Sequence, residues 1–177
     1  MEDAMQFVSR SRAVGALAAV GIFAALRPPA DARADADDIK LLNNSISLEL
    51  AAIKMYADAV TANLLTANVA NVTNQFAADH TAQRDAIIAQ VQQGGGTPAT
   101  EPAPLQAPTM TTEADFLAFA LAGERQLASS YLAAVPQFKN RDLAKLAASI
   151  LGVDATHVAL LSEALRQTPA YPGGFLA

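Results

Sequence analysis

Residues 42–64 read LNNSISLELAAIKMYADAVTANL. Leu42, Ile46, Glu49, Ile53, Tyr56, Val60 and Leu64 are separated by steps of four or three. That spacing puts all seven side chains on one stripe of an α-helix. Six are apolar or aromatic, and the central one is a glutamate. A carboxylate in the middle of a buried seam costs several kcal/mol, on the order expected for an unpaired buried charge, unless a partner compensates it. A metal ion, a histidine or an arginine can be that partner.

The pattern returns 75 residues later. Leu117, Leu121, Glu124, Ala128, Tyr131 and Val135 repeat the spacing, with Glu124 central and Tyr131 seven positions on. Glu49 aligns with Glu124, Tyr56 with Tyr131, Ala59 with Ala134 and Val60 with Val135 at one offset. Two repeated helical hairpins are the simplest reading.

Length and composition agree with a single helical domain. The chain has 177 residues, is 52% hydrophobic with much alanine, and has neither Trp nor Cys. Ala- and Leu-rich sequence with few β-branched runs favours closely packed helices over a sheet. Without cysteine there is no disulfide scaffold, thiol nucleophile or thiolate metal site. His80, His157 and carboxylates are then the available metal ligands. A net charge of −5 with no basic stripe argues against a nucleic-acid partner.

Residues 1–34 read as an export signal. Arg10 and Arg12 supply a basic start, 13–26 an apolar run, and Ala32-Arg33-Ala34 a small-x-small cleavage site. The apolar run falls short of the ~20 residues of a membrane span. Acidic Glu2 and Asp3 sit poorly in a signal, and a start at Met5 removes them. Ser9-Arg10-Ser11-Arg12 resembles a twin-arginine signal without adjacent arginines, so the export route stays open. The expected destination is the periplasm or the medium, with no membrane contact after cleavage.

The domain is expected over 35–167. Asp35, Asp37 and Asp38 put negative charge at the start of helix one, where the helix dipole favours it. This helix is expected over 37–66 and helix two over 69–92, stopped by Gly94-Gly95-Gly96. Residues 97–111 hold Pro98, Pro102, Pro104 and Pro108 and read as an extended linker. A helix of about 24 residues is ~36 Å long. Roughly fifteen extended residues at ~3.3 Å each can cross it end to end. Helix three is expected over 112–135, capped by Thr112 and ended by Pro136, and helix four over 140–167. Residues 168–177, with Pro169, Pro172, Gly173 and Gly174, read as a tail.

Helix four repeats the polar-centre theme. Leu143, Ala147, Ile150, Asp154, His157, Leu161 and Leu165 form its stripe, with the two polar residues in the middle. Asp154 and His157, one turn apart, can grip one metal between them. Hairpins that each bring a glutamate and a carboxylate-x-x-His pair to a bundle centre build a di-metal carboxylate site.

From about residue 37 to 167 the chain therefore resembles the ferritin-like superfamily, particularly exported bacterial ferritin-like domain proteins. The resemblance implies an all-α, four-helix ferritin-like bundle of two hairpins joined by a long Pro-rich crossover. It implies Glu on helix one, Glu-x-x-His on helix two, Glu on helix three and Glu-x-x-His on helix four. Glu49 and Glu124 match, and Asp154 with His157 match with a shortened carboxylate. Helix two departs. The 75-residue offset sets Asp79 against Asp154 but leaves Ala82 where a histidine belongs. The stripe Val72, Phe76, His80, Gln83 and Ile87 turns His80 and Gln83 inward, and Ala77-x-x-His80 is a third alignment. In each, the second half-site lacks a ligand.

The metal ligands expected are Glu49, His80, Glu124, Asp154 and His157, with Tyr56 and Tyr131 as supporting hydrogen-bond partners. Oxygen-rich ligands favour iron or manganese over copper or zinc. The centre is expected to be di-metal if complete and otherwise mononuclear or empty. Metal ions are the expected partners; a homo-oligomer is left open, as is whether the protein is a catalyst. Two rivals remain. One is a metal-free degenerate bundle with a structural, stress-related or interaction role. The other is a helical adaptor with salt-bridged glutamates, which requires Lys54 or Arg125 turned inward.

Overall fold

The computed structural model describes residues 34–167, so the readings of an export signal at one end and a tail at the other lie outside the described residues. Within them the chain forms four long helices and no strand: α1 (Ala36–Thr61), α2 (Ala67–Gln93), α3 (Glu113–Ala134) and α4 (Arg141–Ala164). A short 3-10 turn, Val135–Gln137, follows α3 around Pro136.

Local chemistry sets the ends. Asp35 caps α1, its side chain accepting from the Asp37 and Asp38 amides. Thr112 and Asp115 form a reciprocal capping box on α3, and Asn140 caps α4 through the Asp142 amide. Helix α1 stops at Thr61, short of the expected 66. Asn63 turns left-handed at φ 55°, and Leu64, the last member of the opening stripe, falls beyond the helix. The left-handed conformation at Gly95 (φ 82°) helps end α2. A Cβ on neighbouring Gly96 would meet Ile39 at 2.8 Å, so the chain passes close against α1 there.

Three tethers define the topology. The Thr66 amide donates to Glu113 at 2.5 Å, joining the start of α2 to the start of α3. The amides of Lys139 and Asn140 donate to buried Asp38, joining the α3–α4 turn to the start of α1. Between α2 and α3, the linker runs parallel to α1. Asn43 donates to the Thr97 carbonyl and accepts from the Ala99 amide, and the Ala103 amide donates to the Ser47 carbonyl. The chain thus goes up α1, down α2, up the linker, down α3 and up α4. This is two hairpins with a long crossover, as expected.

The core has three layers along the bundle axis. One apolar cluster gathers Leu42, Ile46, Ile87, Val91, Leu143 and Ile150. Another gathers Met55, Phe76, Phe116, Leu121, Val158 and Leu161. Each fully buried large side chain stabilises the fold by about 1.5–3 kcal/mol. The polar residues of the site lie between the two. Helix α4 is long and apolar enough to cross a membrane by length and composition alone; here its apolar stripe packs into both clusters, with Asp154 and His157 at its centre.

Candidate metal centre

Glu49, His80, Gln83, Glu124, Asp154 and His157 are each no more than 2% exposed. All four helices contribute, because each stripe carries its polar members at mid-height. Six such groups in an apolar core demand internal compensation.

His80 is the hub of one half. Its Nδ1 lies 2.7 Å from Glu49 Oε2, and its Nε2 lies 2.9 Å from Glu124 Oε1. The two tyrosines cross the bundle. Tyr56 on α1 donates to Glu124 Oε1 on α3 at 2.5 Å, while Tyr131 on α3 donates to Glu49 Oε1 on α1. Seven residues along a helix are ~10.5 Å, so each tyrosine reaches the opposite glutamate more readily than its own. Both Glu49 oxygens are therefore engaged.

The other half is different. His157 Nδ1 lies 3.3 Å from Glu124 Oε1 but off the direction of a hydrogen bond, and its Nε2 lies 3.3 Å from Asp79 Oδ2. Phe76 stacks on the His157 ring at 3.9 Å. Gln83 donates to Asp154 Oδ1 at 3.4 Å. Four buried atoms are left without a hydrogen-bond partner here: Gln83 Oε1, Glu124 Oε2, Asp154 Oδ2 and His157 Nδ1. All four belong to groups that can ligate a cation.

The charges follow from this packing. Burial works to lower the basicity of both histidines, but their carboxylate neighbours prevail. Glu124 and Glu49 raise His80 well above its usual pKa, and Glu124 and Asp79 push His157 up to about 9. Burial works to raise Glu124, yet His157 and His80 outweigh it and hold the carboxyl below its usual range. Asp154 is raised by burial and by the nearby Glu49 and Glu124. Burial with Glu124 or Glu49 alongside also raises the phenols of Tyr56 and Tyr131.

One ligand atom from each of His80, Glu124, Asp154 and His157 falls within a 4.8 Å cluster. Glu49, also expected as a ligand, instead contacts His80 and Tyr131. Of the three alignments on α2, the inward stripe of His80 and Gln83 is the one formed. Asp79 sits at the edge, held by Gln75 and facing His157. Its supporting position is not legible from spacing on α2, because it depends on how α2 packs against α4. The cations that a salt-bridged adaptor needs inside lie elsewhere. Lys54 pairs with Asp58, Arg84 with Asp85, and Arg125 bonds Gln167, all at the surface. A cavity of about 60 Å³ between α1 and α3, roofed by linker residues Ala103–Leu105, has Glu124, Met55 and Gly123 among its lining.

The family model of the ferritin-like domain matches residues 37–167. No curated protein matches the chain. Several solved structures share its fold. A Rhodobacter capsulatus bacterioferritin, described with a metal-free dinuclear site and haem iron, has a TM-score of 0.68 at 22% identity, covering 76% of this chain and 86% of its own. A conserved hypothetical protein from Mycobacterium tuberculosis has a TM-score of 0.65 at 23% identity, covering 72% and 89%. A ferritin-like, diiron-carboxylate protein from Bacillus anthracis has a TM-score of 0.62 at 20% identity, covering 72% and 94%.

Proposed function

The chain belongs to the ferritin-like domain family, and from that premise we propose that it is an exported protein that binds iron at mid-bundle through Glu124, Asp154 and His157. The observation that carries this reading is the set of unpartnered buried atoms: Glu124 Oε2, Asp154 Oδ2, His157 Nδ1 and Gln83 Oε1. Leaving a buried donor or acceptor unmade costs about 1–3 kcal/mol each. A cation among these atoms removes that cost. Two carboxylate oxygens, one amide oxygen and one imidazole make a hard, oxygen-rich set that suits iron or manganese. The diiron-carboxylate description of the Bacillus anthracis structure favours iron as the metal to test first.

Iron held here would supply one-electron exchange between its ferrous and ferric states. The protein's own residues do the rest. Asp79 faces Nε2 of His157, which orients the ring and leaves Nδ1 turned to the cluster. Phe76 fixes the plane of that ring. Tyr56 holds Glu124 through Oε1, so that Oε2 is free to ligate. The apolar clusters above and below keep bulk water away. Export rests on the basic start, apolar run and Ala-Arg-Ala site of residues 1–34.

The test is metal analysis of protein purified from the periplasm without chelators, beside a Glu124→Gln/His157→Gln variant. Stoichiometric iron in the native protein, lost in a variant that keeps its helical circular dichroism, is the expected result. Trace metal in both overturns the reading. N-terminal sequencing of the same material tests cleavage after Ala34; an uncleaved chain recovered from the cytoplasm overturns export.

One observation favours a second reading. His80, Tyr56 and Tyr131 already compensate much of Glu49 and Glu124 without metal. A metal-free bundle with a structural, stress-related or interaction role uses that network as its end state. It predicts that added Fe(II) leaves the Tm unchanged.

A further inference from the structure

The α2 and α4 contributions have the same spacing but different chemistry. Both place polar residues inward at i and i+3: His80 and Gln83 on α2, Asp154 and His157 on α4. Across the bundle, Gln83 meets Asp154 and the His80 ring meets the His157 ring at 5.2 Å. His80 thus stands opposite His157 as Asp154 stands opposite Gln83. In the half of the site nearer α2, an imidazole occupies the place that a carboxylate holds in the other half, and an amide occupies that of the imidazole.

We infer that this chain binds one metal ion, not two, and that the His80 ring takes the place of the second. The inference rests on the metal-binding reading above and specifies its stoichiometry. His80 has a carboxylate oxygen at each nitrogen, Glu49 Oε2 at 2.7 Å and Glu124 Oε1 at 2.9 Å. Each ring nitrogen is thus already taken by a carboxylate oxygen and is not open to a metal. Glu49 has no oxygen to spare, since Tyr131 takes the other one. The unpartnered atoms Glu124 Oε2, Asp154 Oδ2, His157 Nδ1 and Gln83 Oε1 can serve one ion. A second ion would have to displace His80 from between two carboxylates.

The experiment counts metal directly. Purified protein is stripped, loaded anaerobically with excess Co(II) alone, desalted and analysed by native mass spectrometry and elemental analysis. One Co(II) per chain is expected, with the magnetic resonance signal of an isolated ion. The His80→Glu/Gln83→His variant places Glu-x-x-His on α2 and is expected to take two, with spin coupling between them. Two coupled Co(II) ions in the native protein overturn the inference and leave the metal-binding reading standing. No Co(II) in the native protein overturns both. The native count needs no variant, so the inference is tested even if the double substitution does not fold. A variant that folds and still takes only one ion shows that His80 is not what excludes the second, and overturns its assigned role.

Discussion

Glu124 is the residue on which the polar layer turns. Its Oε1 faces Tyr56, His80 and His157, and its Oε2 is unpartnered. Removing Tyr56's hydroxyl takes one donor from a buried carboxylate, so Tyr56→Phe is expected to lower stability by about 1–3 kcal/mol in the metal-free protein, read by urea titration. Asp79 acts through His157. Because it sits near the surface, Asp79→Asn should keep the fold while weakening metal affinity by roughly 10–100-fold, read by competition with a chelating dye.

The titration shifts at the same residues set a pH dependence. His157 titrates at about 9 in the fold, against about 6.5 in an unfolded chain. Its contribution to metal-free stability is complete below about pH 6.5 and disappears as pH rises towards 9. Asp154 is raised by folding as well, so its contribution also falls with rising pH. The Tm of the metal-free protein should therefore drop between pH 6.5 and 9. Metal affinity should move the other way, tightening by roughly tenfold or more over that window, because the ligands must lose those protons. Calorimetry in two buffers of different ionisation enthalpy would show the released protons; an identical enthalpy in both would contradict this.

At the scale of elements, the hairpins and the crossover have separate supports. The Thr112–Asp115 capping box starts α3, and Thr112→Ala is expected to cost about 1 kcal/mol, seen as a Tm lower by a few degrees. The crossover depends on Asn43, which holds the linker at both Thr97 and Ala99. Asn43→Ala should expose residues 97–111 to limited proteolysis well before the helices are cut. Equal resistance to cleavage would show that the Ala103–Ser47 bond and packing suffice. The helix-level expectations fail mainly at ends. The apolar period carries on to Leu64, but the turn at Asn63 ends α1 three residues earlier, since entry into α2 needs a reversal that periodicity does not encode.

At the scale of the whole molecule, a polar layer lies between two apolar clusters. The bundle tolerates that layer because all four helices bring partners to it at one height. Metal should couple to folding accordingly. Saturation at about 100 times Kd is expected to raise stability by roughly 2.7 kcal/mol, lost again on adding a chelator.

The sequence by itself determined the four helices, the order of hairpins and crossover, and the burial of Glu49, Glu124, Asp154 and His157. These depend on helical period, on Pro and Gly placement and on linker reach, all of which are local. Only the tertiary structure decided which face of α2 turns inward, how the tyrosines cross between α1 and α3, and that Glu49 is engaged by His80 and Tyr131 while Glu124 keeps a free oxygen. A one-residue difference in register between α2 and α4 rotates a helical side chain by about 100°, from the 3.6-residue turn. Spacing along one strand of sequence cannot choose between such rotations. Packing against three other helices does, because Phe76, Ile87 and Val91 must enter the core on the same stripe as His80 and Gln83.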